Sequence, residues 1–245
     1  MDYEPKKSAD GTYTLYSKKF DECYHSLRDG AFSEAYFKHV KPVFDLVKKD
    51  ELKILDICFG LGINTLATIY HFQRQNSVKS LKIFSPEFDK ELLKKLPSFN
   101  YPSYLSGYRN IIKSLVNEHR YEDEKIKIEL FVGDAREYVK GLEDIDAVYQ
   151  DAFSPKKNPT LWSVEYFKDI YMLLNSSGVL TTYSIAAPVR LGLYEAGFNV
   201  YEKEIEGIKK ITIASKTELP LKKIDMQMKR KRSSSSPIWD KDISF

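Results

Sequence analysis

The chain carries carboxylates at or just beyond the ends of four short apolar runs: Asp56 in Ile54-Leu55-Asp56-Ile57-Cys58, Glu87 in Phe84-Ser85-Pro86-Glu87, Asp134 in Phe131-Val132-Gly133-Asp134, and Asp151 in Val148-Tyr149-Gln150-Asp151. If such runs are parallel strands, their carboxyl ends open on one crevice and these groups meet there. After Asp56 comes Phe59-Gly60-Leu61-Gly62-Ile63-Asn64-Thr65, whose glycines let the backbone turn sharply and lie close to a ligand. Asn64 or Thr65 can cap a helix whose amide-rich N-terminus favours a carboxylate or phosphate, so the unit suits an anionic cofactor, with a tight structural turn as the plain alternative. Glu87 can accept two hydrogen bonds from ribose hydroxyls, and its charge suits an unphosphorylated ribose; Asp89 reads better as a helix cap. Asp134 can accept from an exocyclic adenine amine while the neighbouring amide of Ala135 donates to the ring. Each acid alone is as easily an N-cap. Together they describe an adenosyl ligand laid across a sheet edge.

The elements that must hold these residues follow from the pattern. From residue 52 the chain alternates apolar runs (52–58, 81–85, 126–132, 147–149 and 179–183) with helical stretches, which predicts an α/β fold with a mostly parallel sheet covered on both faces. Between the second and third runs an insertion at about 97–121, containing Pro102 and a helical run, is expected near the substrate side. After 179–183 come a helix over 189–196 and two β-like runs, 198–205 and 210–215, joined at Glu206-Gly207. Ahead of the fold, 12–17 alternate like a strand, and Ala31, Ala35, Val40, Phe44 and Val47 keep helical spacing. The expected organisation is an N-terminal extension over 1–50, the main domain over 51–216 and a basic tail over 217–245.

The formal charge of +3, from 38 Lys+Arg against 35 Asp+Glu, excludes a chain that coats nucleic acid through bulk charge alone. A polyanion must meet a local patch, and the tail offers one: Lys222, Lys223, Lys229, Arg230, Lys231 and Arg232, opposed only by Asp225. With Ser233 to Ser236 behind it, this tail reads as mobile, either tracking phosphates or merely solvated. Cys23 and Cys58 form no CxxC pair, and His25, His39, His71 and His119 show no ligand spacing. No metal is expected, and all four histidines read as structural or surface groups. The opening residues lack an apolar signal region and no long apolar run follows, so a cytoplasmic protein without a membrane partner is expected.

The run Asp151-Ala152-Phe153-Ser154-Pro155-Lys156-Lys157-Asn158-Pro159-Thr160-Leu161-Trp162 resembles the signature of the MnmC-type tRNA methyltransferases, which methylate an aminomethyl group on the wobble uridine. Phe20-Asp21-Glu22, Tyr24, Ser26, Gly30, Glu34, Tyr36, Gly133-Asp134-Ala135-Arg136, Thr182-Tyr183-Ser184, Val189-Arg190, Gly192-Leu193 and Ala196-Gly197-Phe198 extend the match from about residue 12 to 215. The resemblance implies a Rossmann-like class I fold, with a mostly parallel seven-stranded sheet closed by an antiparallel hairpin. It also implies S-adenosyl-L-methionine as cofactor, and tRNA as partner through the wobble uridine of the anticodon loop. Cofactor contacts would then fall to Asp56, Phe59, Gly60, Gly62, Asn64, Glu87, Asp134 and Ala135, with Tyr24, Ser26 and Glu34 closing the pocket. An amine nucleophile must shed a proton, and Asp151 is placed to orient it and take that proton. Phe153, Ser154, Pro155, Tyr183 and Arg190 would meet the substrate, Phe153 and Tyr183 by stacking on a splayed base. Trp162 reads as packing, and Arg190 as a phosphate contact or an exposed helix arginine.

The chain departs from the family at Cys58, where a glycine is usual, and at Gly207-Ile208-Lys209-Lys210, which keeps part of a glycine-aromatic-glycine-basic turn. Bifunctional members carry an FAD-binding oxidase domain after the methyltransferase; here no second glycine-rich nucleotide unit follows, and no FAD chemistry is expected. Competing readings are an aminopropyltransferase of the polyamine-synthase type, a non-catalytic RNA-binding subunit, and an NAD-dependent reductase, the last weakened by the missing Gly-x-Gly-x-x-Gly.

Overall fold

A computed structural model describes residues 2–243. Strands β1 (Tyr3–Lys7), β2 (Tyr13–Ser17) and β3 (Glu22–Cys23) make a small antiparallel sheet. A helix follows that is α over Ala31–Glu34, widens to π turns over Ala35–Val40 and returns to α over Lys41–Leu46. The main sheet contains β4 (Glu51–Ile57), β5 (Ser80–Glu87), β6 (Arg120–Glu122), β7 (Ile126–Val132), β8 (Ile145–Gln150), β9 (Leu174–Thr182), β10 (Asn199–Ile205), β11 (Ile208–Ser215) and β12 (Lys222–Lys223), in the order β12-β10-β11-β9-β8-β4-β5-β7-β6. Pairings from β7 through β5, β4 and β8 to β9 are parallel, and β10 and β11 close the sheet antiparallel. This is the expected α/β arrangement of seven strands, with β12 and β6 added at its two edges.

Alternation in β4 shows why the sheet is covered on both sides. Leu52 and Ile54 enter one apolar cluster, Leu55 and Ile57 the other, all of them wholly buried. A period of two places each pair on its own face. From β4 the chain crosses one way to β5 and later the other way to β8, so a crevice opens at the carboxyl ends of these strands.

Two expectations need correction. The stretch expected as a substrate-side insertion belongs to the crossover from β5 to β7: Leu105, Ile112 and Leu115 are buried in the same cluster as Leu52 and Ile54 of β4. Its apolar stripe packs on the sheet face and behind the glycine loop, where Tyr101 donates to the Leu61 carbonyl at 2.8 Å. The tail expected to be mobile is docked along the domain. Lys222–Lys223 pairs with β10, Met226 is buried, and the Val164 amide donates to the Ile238 carbonyl at 2.8 Å. Arg136 then grips Asp240 with both terminal nitrogens, at 2.7 and 2.6 Å, the fork geometry that makes arginine–carboxylate pairs strong. Among the described residues no helix is long and apolar enough to cross a membrane.

Candidate active site

A cavity of about 1350 Å³ opens at the carboxyl ends of β4, β5, β7, β8 and β9, with the segment around residues 19–29 as its outer wall. The glycine loop forms the floor. The Gly60 amide donates to Glu87 Oε2 at 2.8 Å and the Gly62 amide to the Phe59 carbonyl at 2.7 Å. Gly62 is left-handed (φ 70°), and a Cβ there would lie 2.7 Å from Phe59 Cζ, so only glycine fits. Cys58 is also left-handed (φ 66°), which costs a non-glycine residue about 1–2 kcal/mol. Burial pushes its thiol well above the usual range.

Glu87 is buried, and burial raises its carboxyl although it accepts from the amides of Asp89 and Gly60. Each oxygen keeps a lone pair for a ligand hydroxyl. Asp89 caps the helix Lys90–Leu93, accepting from Glu91 and Leu92 at 3.1 and 3.0 Å. Asp134 caps Ala135–Val139 through the Arg136 amide at 2.7 Å and remains exposed to the cavity beside Ala135. Asn64 donates from Nδ2 to Asp151 Oδ2 at 2.8 Å and to Asp56 Oδ1 at 3.2 Å, tying two carboxyl groups together.

The loop after β8 is pinned from three sides. Trp162, wholly buried, donates from Nε1 to the Phe153 carbonyl at 2.8 Å, and Tyr183 donates to the Ala152 carbonyl at 2.9 Å. Glu22 accepts from the Ser154 amide and hydroxyl at 3.1 and 2.8 Å. Phe153 stacks on Phe20 (ring centroids 4.4 Å apart) and tilts against Tyr24 (4.9 Å). Behind this wall Lys38 Nζ bonds both Asp29 and Glu34 at 2.8 Å, and Glu34 accepts from the Ser26 amide at 2.7 Å.

The cavity brings together Tyr24, Ser26, Glu34, Phe59, Gly60, Asn64, Glu87, Asp134, Ala135, Asp151, Phe153, Ser154, Pro155 and Tyr183. Three candidates lie outside its lining. Gly62 shapes the loop from behind. Asp56 is wholly buried and accepts from Thr65 at 2.9 Å; burial, aided by the charge of Asp151, pushes its carboxyl up to about 8. Its position holds Asn64 and the loop rather than a ligand. Arg190 is corrected outright: it is buried against the closing hairpin, donating to Thr212 Oγ1 at 2.9 Å and pairing with Glu202 at 3.0 Å, so no phosphate reaches it. Glu22, Asp29, Lys38, Ser236 and Ile238 also border the cavity, and residue type alone did not distinguish them from ordinary surface and helix positions. Among the described residues no cluster of His, Cys, Asp and Glu is arranged to hold a metal ion.

Residues 103–218 match a family of S-adenosyl-L-methionine-dependent methyltransferases. An uncharacterized protein of Methanocaldococcus jannaschii is 35% identical over 86% of this chain and 58% of its own length. The bifunctional MnmC protein of tRNA 5-methylaminomethyl-2-thiouridine biosynthesis from Actinobacillus pleuropneumoniae is 27% identical over 80% of this chain and 32% of its own. The chain thus spans little more than half of the first relative and a third of the second. The crystal structure of MnmC2 from Aquifex aeolicus superposes with a TM-score of 0.81 at 32% identity, over 94% of this chain and 75% of that one. With this sheet, this glycine loop and these carboxylates, the chain belongs to the MnmC2 family and is an S-adenosyl-L-methionine-dependent methyltransferase.

Proposed function

We propose that the protein methylates the primary amine of a 5-aminomethyl group on the wobble uridine of tRNA, in the cytoplasm, giving the 5-methylaminomethyl product with or without a 2-thio group. The observation that carries this reading is Asp151, fixed by Asn64 at the inner end of a cavity rich in carboxylates and bordered by the clamped loop Ala152–Pro155. S-adenosylmethionine, a cation at sulfur, supplies an activated methyl carbon. The lining suits it: Glu87 would meet the ribose hydroxyls, Asp134 and Ala135 the adenine, with Phe59 and Gly60 forming the turn of the floor. Lys38, the cation among the acids behind the outer wall, is already paired with Asp29 and Glu34, so the remaining carboxylates favour a positive ligand. Tyr24, Ser26 and Glu34 close the pocket over it.

Lys19, Arg28, Lys156 and Lys209 stand among the lining residues together with Phe88, which is 67% exposed. Basic groups beside an exposed aromatic ring suit a phosphate backbone that presents one unstacked base. The docked tail adds Ser236 and Ile238 at the Asp134 end. Arg136→Ala would release Asp240 and loosen that end; the expected result is a KM for S-adenosylmethionine raised about 3–10-fold with kcat nearly unchanged, the pattern of lost uniform binding. An unchanged KM would show that the strap does not border the cofactor.

The test of the reaction is transfer from labelled S-adenosylmethionine to tRNA bearing 5-aminomethyluridine, beside unmodified tRNA and putrescine. Label is expected in the aminomethyl tRNA alone, recovered as 5-methylaminomethyluridine. Cofactor binding without transfer to that tRNA would overturn the assigned substrate, and labelled tRNA lacking the amine would redirect it.

A further inference from the structure

His39 sits on the π turn Ala35–Val40, a helical distortion found often at functional sites, and its side chain is wholly buried. Its Nδ1 lies 2.9 Å from Thr181 Oγ1, and that hydroxyl lies 3.5 Å from the Val148 carbonyl oxygen. A carbonyl only accepts, so the hydroxyl hydrogen turns toward it and the hydroxyl oxygen is left to accept from Nδ1–H. In a neutral imidazole Nε2 is then bare. Nε2 has no hydrogen-bond partner and faces Asp151 Oδ1 at 3.5 Å, while Asp151 Oδ2 is held by Asn64. Two acceptors facing each other out of water leave one vacant place for a proton. The separation is long for a hydrogen bond, as is usual before a ligand tightens such a pair.

We propose that His39 receives, through Asp151, the proton that the substrate amine sheds. His39 does not touch the substrate and acts as a positioning residue behind Asp151; the inference rests on the amine reading given above. An alkyl ammonium gives one proton to an Asp151 oxygen, and the carboxyl passes a proton from Oδ1 to His39 Nε2, leaving an imidazolium with Nδ1–H still on Thr181. The neutral amine then bonds to the methyl carbon as the carbon–sulfur bond breaks, its electron pair staying on sulfur. The product leaves as a methylated ammonium, and His39 returns its proton through Asp151 to water once the site opens.

Asp56 is joined to Asp151 through Asn64, and the charge of Asp151 also acts on buried His25, on the Cys58 thiol and on the Tyr183 hydroxyl. The Tyr149 ring lies 5.4 Å from that of His39, and Glu34 and Lys38 occupy the same helix as His39.

His39→Gln keeps a side chain able to hydrogen bond but not to carry the proton. Single-turnover methyl transfer to 5-aminomethyluridine tRNA is measured between about pH 6 and pH 9.5, with S-adenosylmethionine affinity measured by calorimetry. The expected result is an affinity within about twofold of the parent, a rate down about 10–100-fold near pH 7, and a gap that closes as alkaline solution deprotonates the amine. A variant that matches the parent across this range overturns the proposal and leaves His39 as a hydrogen-bond donor to Asp151. Should H39Q not fold, ¹⁵N NMR of the parent protein decides: hydrogen on Nδ1 with a bare Nε2 is expected, and hydrogen on Nε2 of the neutral ring overturns it. If the parent enzyme binds the cofactor but does not methylate this tRNA, the substrate reading itself falls, and this is seen before any variant is made.

Discussion

Asp151→Asn is expected to slow methyl transfer by about a hundred- to ten-thousand-fold while changing S-adenosylmethionine affinity by less than about tenfold. The substitution keeps the shape of the side chain, and its carbonyl oxygen can still accept the Asn64 bond that holds Asp151 Oδ2 at 2.8 Å. What disappears is a group that can take a proton. If the amine arrives as an ammonium, its lone pair is unavailable until that proton leaves, so the loss falls on kcat and appears equally in kcat/KM for tRNA. Some affinity for a cationic cofactor is also lost with the charge, but in the proposed reading Glu87 and Asp134 would still meet the adenosyl part. The variant has a second consequence. Burial, with help from the Asp151 charge, pushes the Asp56 carboxyl up, so neutralising Asp151 lowers Asp56 and leaves the loop intact. A variant with near-parental turnover at saturating tRNA would remove Asp151 from the chemistry.

The parts of the fold that are legible in sequence are those written in apolar periodicity. Runs 52–58 and 126–132 coincide with β4 and β7 to within a residue: β4 is buried on both faces past Lys53, and β7 alternates buried Ile126, Ile128 and Leu130 with exposed Lys127 and Glu129. Strands β6 and β12 are not legible: Arg120–Glu122 has only Tyr121 to bury, Lys222–Lys223 has nothing apolar, and both become strands because an edge is there to pair with. The site divides in the same way. Glu87, Asp134 and Asp151 could be placed from strand ends alone, whereas Asp56 carries the same mark and faces inward. Arg190 resembles any helix arginine until the hairpin folds Glu202 and Thr212 over it. The outer wall is the hardest to read, since Glu22 meets Ser154 from 132 residues away and no local pattern announces such a contact.

The buried lysine of that wall should be the largest stability determinant tied to the site. Lys38→Met is expected to cost about 3–5 kcal/mol, because it leaves Asp29 and Glu34 buried without their cation. The Lys38 side chain is 3% exposed, and those of Asp29 and Glu34 are 2% and 8% exposed, so water cannot take over the missing bonds. In the parent protein burial works to raise the Glu34 carboxyl, but His25 and Lys38 outweigh it and hold it down at about 2. A carboxyl held below its unfolded value stabilises the fold above that value, near 4.5, and the contribution is lost as pH falls from there toward 2. His25 runs the other way: burial lowers it, yet Glu34 and Asp151 raise it overall, so its contribution is full below 6.5 and lost as pH rises through its folded value. With methionine at 38 the bonds and charge of Lys38 are gone, so the Glu34 carboxyl moves up from about 2 while His25 still lowers it. The penalty of the substitution is therefore lost as pH falls through the range between the variant's value and the parent's. Urea unfolding of both proteins at about pH 7.5 and pH 3.5 should show the stability gap shrinking at the lower pH. A gap that stays constant would mean that Glu34 finds another partner once Lys38 is gone. Because Glu34 also accepts the Ser26 amide at 2.7 Å, any loosening passes to the outer wall, and the destabilised variant should bind S-adenosylmethionine more weakly even at temperatures where it remains folded.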